Sequence, residues 1–258
     1  MKEEGIRIEA EIEASADRIW EAWADPVRLA RWFVDEARGR IGEADTVTWI
    51  WEEFGLEVEH EVAEVEPGRR FELRARGPGG ARATEVVLVD EGGGSTRVRI
   101  MESGFGGEDE GTRSGWQMAL AALKLYVEEY FDRDGRAVLV MAESDASPDE
   151  IRAMHRTGAG LARWLGAGGP LPGEGGPVAL SHDSGLRVTG RVLRHTDTET
   201  SLRWQEVEGL LELKQFPGPE GRMVALRAFT WAPAGAVEPS TLRRQLSEAL
   251  SRLADALS

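Results

Sequence analysis

Residues 14–33 read ASADRIWEAWADPVRLARWF, and residues 146–165 read ASPDEIRAMHRTGAGLARWL. At a constant offset of 132, Ala14, Ser15, Asp17, Ile19, Leu29, Ala30, Arg31 and Trp32 recur as Ala146, Ser147, Asp149, Ile151, Leu161, Ala162, Arg163 and Trp164. Eight identities in twenty ungapped positions mark an internal repeat, and a repeat of this length sets the number of folded units before any element is assigned. A second match follows, Gly55-Leu56-Glu57-Val58 against Gly185-Leu186-Arg187-Val188, and both halves close on a helical pattern, at 112–132 and 239–257. One unit is expected over 1–133 and a diverged copy over 134–258. The boundary falls at the charged turn Asp132-Arg133-Asp134-Gly135, ahead of a strand at Ala137–Glu143.

Working outward from residues 14–33, Ile6-Arg7-Ile8-Glu9-Ala10-Glu11-Ile12 alternates apolar and charged residues, the pattern of a half-buried strand. Ser15 is a good N-cap for a helix with Ile19, Trp20 and Trp23 on one face, stopped by Asp25-Pro26. A short second helix carries Leu29, Trp32 and Phe33. Strand-like runs follow at 46–52, 56–66, 69–76, 83–90 and 95–103. Turn signals separate them: Glu53-Phe54-Gly55, Pro67-Gly68, Gly77-Pro78-Gly79-Gly80, and Glu91 to Gly94. The last helix carries Trp116, Leu120, Leu123, Val127 and Phe131 on its apolar face. The order β-α-α-β-β-β-β-β-α predicts an α+β fold, an antiparallel meander with one long helix left to cover its inner face.

Residues 12–33, with Ala14-Ser15-Ala16 before Ile19-Trp20, then Trp23, Asp25-Pro26 and Trp32-Phe33, resemble the start of the SRPBCC/START superfamily. Within it they are similar to the branch named after the activator of Hsp90 ATPase. Glu102-Ser103-Gly104-Phe105 followed by Trp116 and Leu120 to Tyr126 resembles that branch's last strand and closing helix. The resemblance covers most of residues 6–132. In the second half it rests on 146–166 and the element order, with Arg152 and His155 standing where the first half has Trp20 and Trp23. It implies two helix-grip domains, each a curved antiparallel sheet around a long C-terminal helix, with two short helices after the first strand. The superfamily includes lipid and polyketide binders, cyclases and co-chaperones, so the resemblance speaks to fold more than to chemistry.

Composition narrows the classes. The chain has 258 residues, so either half is long enough to bury a core without metal or disulfide staples. It has no cysteine, which removes disulfides, thiolate metal sites and cysteine nucleophiles and fits a reducing compartment. The first residues, Met1-Lys2-Glu3-Glu4-Gly5, precede no apolar run, so no signal peptide is expected. No window approaches the ~18 apolar residues of a transmembrane helix. The expectation is a cytoplasmic protein without membrane insertion. With 31 basic and 46 acidic residues, a formal charge of −15, the surface repels phosphate backbones, and nucleic-acid binding is disfavoured. Nine Trp against two Tyr and seven Phe is an unusual balance that suits the walls of a pocket as well as a core.

Strand alternation then groups the chemistry-bearing residues. Val47, Trp49 and Trp51 share a face; so do Leu56, Val58, His60 and Val62, and so do Thr96, Val98, Ile100 and Glu102. If the apolar phase faces the long helix, His60 and Glu102 face inward with Trp49 and Trp51. They then serve as orienting groups for a ligand, as an acid–base pair, or as a core histidine and a rim residue. The expected ligand-binding set is Trp23, Trp49, Trp51, Val58, His60, Ile100, Glu102, Trp116 and Leu120, with His60 and Glu102 as the catalytic candidates. Trp32 is expected in the core, because its counterpart Trp164 persists.

Metal sites and cofactors are not expected: His60, His155, His182 and His195 are scattered, with no HxxxH or HExxH spacing. The runs Gly92-Gly93-Gly94 and Gly104-Phe105-Gly106-Gly107 contain no phosphate-binding motif, and no GxSxG elbow occurs. Glu108-Asp109-Glu110 complements the dipole of the following helix, and Gly166 to Gly176 reads as a loop. Three functions fit. The first is binding of a hydrophobic or aromatic small molecule by the first domain, with the second a structural partner. The second, from the branch name alone, is interaction with a protein partner of the Hsp90 kind. The third is a cyclase, dehydratase or hydrolase using His60 and Glu102 on an aromatic substrate.

Overall fold

The computed structural model describes residues 5–52, 55–77, 80–104, 110–165, 169–218 and 220–258. It divides into two compact units, Met1–Arg133 and Asp134–Ser258. The turns at Glu53-Phe54-Gly55 and Gly77-Pro78-Gly79-Gly80, the run Gly104-Phe105-Gly106-Gly107, the stretch Glu108-Asp109-Glu110 and the loop from Gly166 lie wholly or partly outside the described residues.

The first unit begins with β1 (Ile6–Ile12), then α1 (Ala16–Ala24) and α2 (Pro26–Leu29). Six strands follow: β2 (Glu36–Arg38), β3 (Thr46–Trp51), β4 (Leu56–Glu66), β5 (Arg70–Gly77), β6 (Gly80–Gly92) and β7 (Ser95–Ser103). A long helix closes it, α3 (Glu110–Leu125), continued by a π-helical turn over Tyr126–Tyr130. The sheet is antiparallel in the order β1-β7-β6-β5-β4-β3-β2, so the first strand lies beside the last. Gly92, Gly93 and Gly94, which turn β6 into β7, all have positive φ (80°, 67° and 88°), a backbone open to glycine at no steric cost.

Local chemistry accounts for these boundaries. Ser15 accepts from the Arg18 N–H and caps α1. Asp25 caps α2 by accepting from Val27 and Arg28, and Pro26 occupies the first helical position, where its missing N–H costs nothing. α2 is shorter than the sequence predicts: it ends at Leu29, leaving Trp32 and Phe33 in the turn that follows. β2 was not expected, because Glu36-Ala37-Arg38 carries no apolar alternation; it is an edge strand joined to β3 in the register Glu36↔Ile50 and Arg38↔Thr48. β6 outruns the predicted 83–90 at both ends, where Gly80 pairs with Gly77 and Gly92 with Ser95.

The second unit runs β8 (Arg136–Ser144), α4 (Pro148–Arg156), α5 (Gly158–Leu165), β9 (Pro177–Ser181), β10 (Arg187–His195), β11 (Glu199–Trp204), β12 (Gly209–Pro217), β13 (Arg222–Thr230) and α6 (Pro239–Leu257). Its sheet has the order β8-β13-β12-β11-β10-β9, the first sheet without its edge strand. Ser147 caps α4 in a full capping box with Glu150. Thr157, which stands where Asp25 does, accepts from the Gly160 N–H at the head of α5. The retained tryptophans repeat one bond: Trp32 Nε1 donates to the Ala22 carbonyl at 3.0 Å, and Trp164 Nε1 to the Met154 carbonyl at 2.9 Å. The kinks also match, with β-bulges between Val62 and Glu64 in β4 and between Val192 and Arg194 in β10. Both units are helix-grip folds, α+β with an antiparallel sheet and a long C-terminal helix. Among the described residues, no helix is long and apolar enough to cross a membrane.

Candidate functional site

The inner face of the first sheet is built by the strand phases that alternation predicts. Val47, Trp49, Phe71, Leu73, Val86, Leu88, Val98 and Ile100 are all buried, and the charged residues between them face the other way. Onto this face α1, the turn after α2 and α3 bring a second set of rings. Trp23 meets Trp32, Phe33, Trp49, Phe71 and Trp116 with ring centroids 4.7–6.3 Å apart. Phe33 stacks on Trp116 at 5.5 Å and meets Trp49 and Trp51 edge-on. The sequence placed Phe33 on the second short helix without a site role; its place beside all four candidate tryptophans comes from the turn that replaces the second half of the predicted helix.

Two polar residues flank this cluster. His60 is 7% exposed, its ring 4.4 Å from that of Trp49, and neither ring nitrogen has a hydrogen-bond partner among the described residues. Burial pushes its imidazole down to about 4, so it is neutral at pH 7, with one nitrogen donating and the other accepting. Trp23 Nε1 is likewise buried without a partner among the described residues. Glu102 is 7% exposed; its carboxylate accepts from Trp116 Nε1 and has Arg82 at 3.8 Å. Arg82 was not anticipated, although alternation places it two residues before the inward-facing Thr84.

The nine candidate residues therefore sort into groups. His60, Trp49, Trp51, Trp23, Trp116 and Glu102 are linked through successive contacts. Val58 pairs with Trp49 across β3 and β4. Ile100 lies between Ile8 and Val86 in the register, and Leu120 is buried one helical turn beyond Trp116. The two catalytic candidates are not neighbours. His60 on β4 pairs with Ala75 on β5, Ala75 with Arg82 on β6, and Glu102 on β7 pairs with Thr84 of β6. Two strands separate them, roughly 14 Å at the usual spacing. Tryptophans fill the interval.

Trp116 is the support that holds the Glu102 carboxylate. Trp116→Phe keeps the ring packing and removes the donor, so a loss of about 1–3 kcal/mol is expected, read as a lower urea midpoint. An unchanged midpoint would show that the indole N–H contributes nothing there.

The internal repeat extends to this site. The offset of 130 that aligns Gly55–Val58 with Gly185–Val188 puts Gly190 where His60 stands. The pairing of β8 with β13 puts Ala228 where Glu102 stands. Neither polar group of the first unit is kept in the second. Trp23 has become His155, and the matched bulges place Thr200 at the position of Phe71 and His195 at that of Val65. There His155 Nδ1, the Thr200 hydroxyl and His195 Nδ1 are hydrogen-bonded in series, His195 Nε2 accepts from Arg156, and a cavity of only about 20 Å³ lies alongside, lined by His155, Thr200, Trp164 and eight leucines.

Residues 13–128 match the family described as activator of Hsp90 ATPase homolog 1-like protein. The match lies within the first unit, and the second unit repeats that unit's element order. No curated protein matches the sequence. Among solved structures, DynU16 from the dynemicin biosynthetic locus is 19% identical, with a TM-score of 0.43 over 98% of this chain and 97% of that one. BexL, a di-domain ARO/CYC from the BE-7585A biosynthetic pathway, is 13% identical, with a TM-score of 0.46 over 99% of both chains. The Aha1 dimer from Colwellia psychrerythraea is 18% identical, with a TM-score of 0.44 over 49% of this chain and 98% of that one.

Proposed function

We propose that the first unit binds a hydrophobic or aromatic small molecule bearing a hydroxyl group, held between its sheet and α3 beside Trp49. The observation that carries this reading is a set of polar atoms at one aromatic wall without partners among the described residues: both nitrogens of His60 and the indole N–H of Trp23. A buried polar group without a partner costs about 1–3 kcal/mol, and natural interiors rarely leave three together. A neutral imidazole offers one donor and one acceptor, which a hydroxyl matches. Access fits the end of the sheet where Trp51 and Phe33 are half-buried, Leu56 is exposed and Arg82 sits beside Glu102. The separation of His60 from Glu102 speaks against direct acid–base work by the pair, which requires both within hydrogen-bonding reach of one substrate. The family description does not by itself bring an Hsp90-type partner to this chain.

Titration with 2-naphthol, an apolar bicycle with one hydroxyl, is expected to quench tryptophan fluorescence saturably. Trp51→Ala, at a half-buried position, should weaken binding about tenfold while the circular dichroism spectrum stays unchanged, and Trp49→Ala should weaken it further. Full binding by both variants would remove the site from this wall.

A further inference from the structure

We propose that the closing helix of the first unit seals the free edge of its opening strand through Arg113, Lys124 and Glu128, and that this seal keeps β1 from adding a strand of a second copy of this chain. An edge strand presents a row of unpaired N–H and C=O groups, a template for pairing with another chain. The two sheets end in β1, β2, β8 and β9. β2 has three residues, and β9 has five and opens on Pro177, which has no N–H to give. β1 and β8 are the long edges, with seven and nine residues.

Side chains of α3 and of the π-helical turn after it occupy the edge of β1. Lys124 Nζ donates to the Glu11 carbonyl at 2.8 Å, and the Glu13 N–H donates to Glu128 Oε1 at 2.8 Å. Arg113 Nη1 makes a looser contact with the Arg7 carbonyl, at 3.5 Å. All three contacts fall on odd-numbered residues, whose backbone groups point to the same side of an extended strand. Lys124 also pairs with Glu128 at 2.8 Å, so the cation on the carbonyl and the carboxylate on the N–H hold each other in place.

Charged partners suit this task, because a hydrogen bond with one ionised member is about twice as strong as a neutral one. An incoming strand has to displace these bonds and bear the entropy loss of association, whereas the seal belongs to the same molecule and bears none. Nothing else among the described residues covers this side of the strand: Arg7, Glu9, Glu11 and Glu13 are exposed, and Lys124 is 43% exposed. The side chains of α3 are therefore what stands between the edge and a second copy.

The second unit repeats one of these contacts. Arg243 Nη1 donates to the Leu139 carbonyl at 3.0 Å. The offset of 132 puts Leu139 where Arg7 stands, and the registers agree, since Arg7 pairs with Met101 and Leu139 with Arg227. The closing helices align at an offset of 130, where Trp116, Leu120 and Leu123 become Leu246, Leu250 and Leu253, all buried. That puts Arg243 where Arg113 stands. The strand residue has changed from arginine to leucine and the bond has stayed, because the helix arginine addresses the backbone. Lys124 and Glu128 are replaced by Ala254 and Ser258, so the seal on β8 is shorter.

The test uses the full chain. For the triple variant Arg113→Ala, Lys124→Ala and Glu128→Ala, light scattering after size exclusion is expected to give about twice the wild-type mass, falling on dilution, with an unchanged circular dichroism spectrum. Adding Glu9→Pro removes an N–H from the opened edge and leaves the ladder to β7 intact, so the wild-type mass should return. In Glu128→Ala alone the Glu13 amide should exchange with deuterium about tenfold faster than in the wild type, which reads the seal even where the triple variant fails to fold. A wild-type mass for the folded triple variant, a doubled mass that survives Glu9→Pro, or equal exchange of the Glu13 amide in wild type and Glu128→Ala would overturn the proposal.

Discussion

Trp32→Ala is expected to lower the stability of the first unit by about 3–5 kcal/mol, and Trp164→Ala to do the same in the second. Both indoles are buried, and each also donates its N–H to a carbonyl at the end of the preceding helix, Ala22 or Met154. Truncation opens a cavity and leaves that carbonyl without its donor. Against the 5–15 kcal/mol that holds an ordinary domain together, this is a large fraction. Urea denaturation followed by circular dichroism checks it, with Trp32→Phe as the control that fills most of the space without restoring the bond. A cost under about 1 kcal/mol for either alanine variant would show that the repeated bond is not a shared anchor.

The second large effect is acid sensitivity. Burial pushes His60 down to about 4 and His155 to about 3, the latter helped by the nearby His195, Arg156 and Arg152. In an unfolded chain both imidazoles protonate near 6.5. Between pH 6.5 and 4 the unfolded state therefore binds protons that the folded state refuses, and folding weakens as the pH falls. Each group contributes at most about 1.4 kcal/mol per pH unit in that window, and the loss levels off below its folded value. Urea midpoints at pH 7, 6, 5 and 4 should fall less steeply for His60→Phe than for the wild type, because the variant lacks one of the two groups. Parallel curves for wild type and variant would place His60 in solvent.

The repeat, the strands with apolar alternation and the capped helix α1 were legible in the sequence because each has a local physical signature. Edge strand β2 has none, since its pairing is backbone to backbone. The early end of α2 was hidden for another reason: the tertiary bond from Trp32 to Ala22 holds the chain in the turn that follows. At the site, alternation placed His60 and Glu102 on the inner face, but alternation carries no information about distance across a sheet. The two strands between them follow only from the topology. The chain from Arg156 to His155 was missed although all its members were in view. Comparing the copies position by position past residue 165 would have exposed it, but the offset there is no longer constant: it falls from 132 in the helices to 130 in β10, and to 129 at Thr200.

Each unit's opening strand pairs with its closing one: Ile6 meets Glu102, and Val138 meets Ala228. The contact is distant in sequence, and such closures slow folding because loop entropy must be lost before the pairing contributes. On a ribosome adding about 5–20 residues per second, β1 waits several seconds for its partner β7. The first unit has every strand it needs before β8 is made, so serial duplication separates the two closures in time. Refolding of the full chain from denaturant has no such order: β1 and β8 are then present together as open edges, and each is a competitor for the other's closing strand.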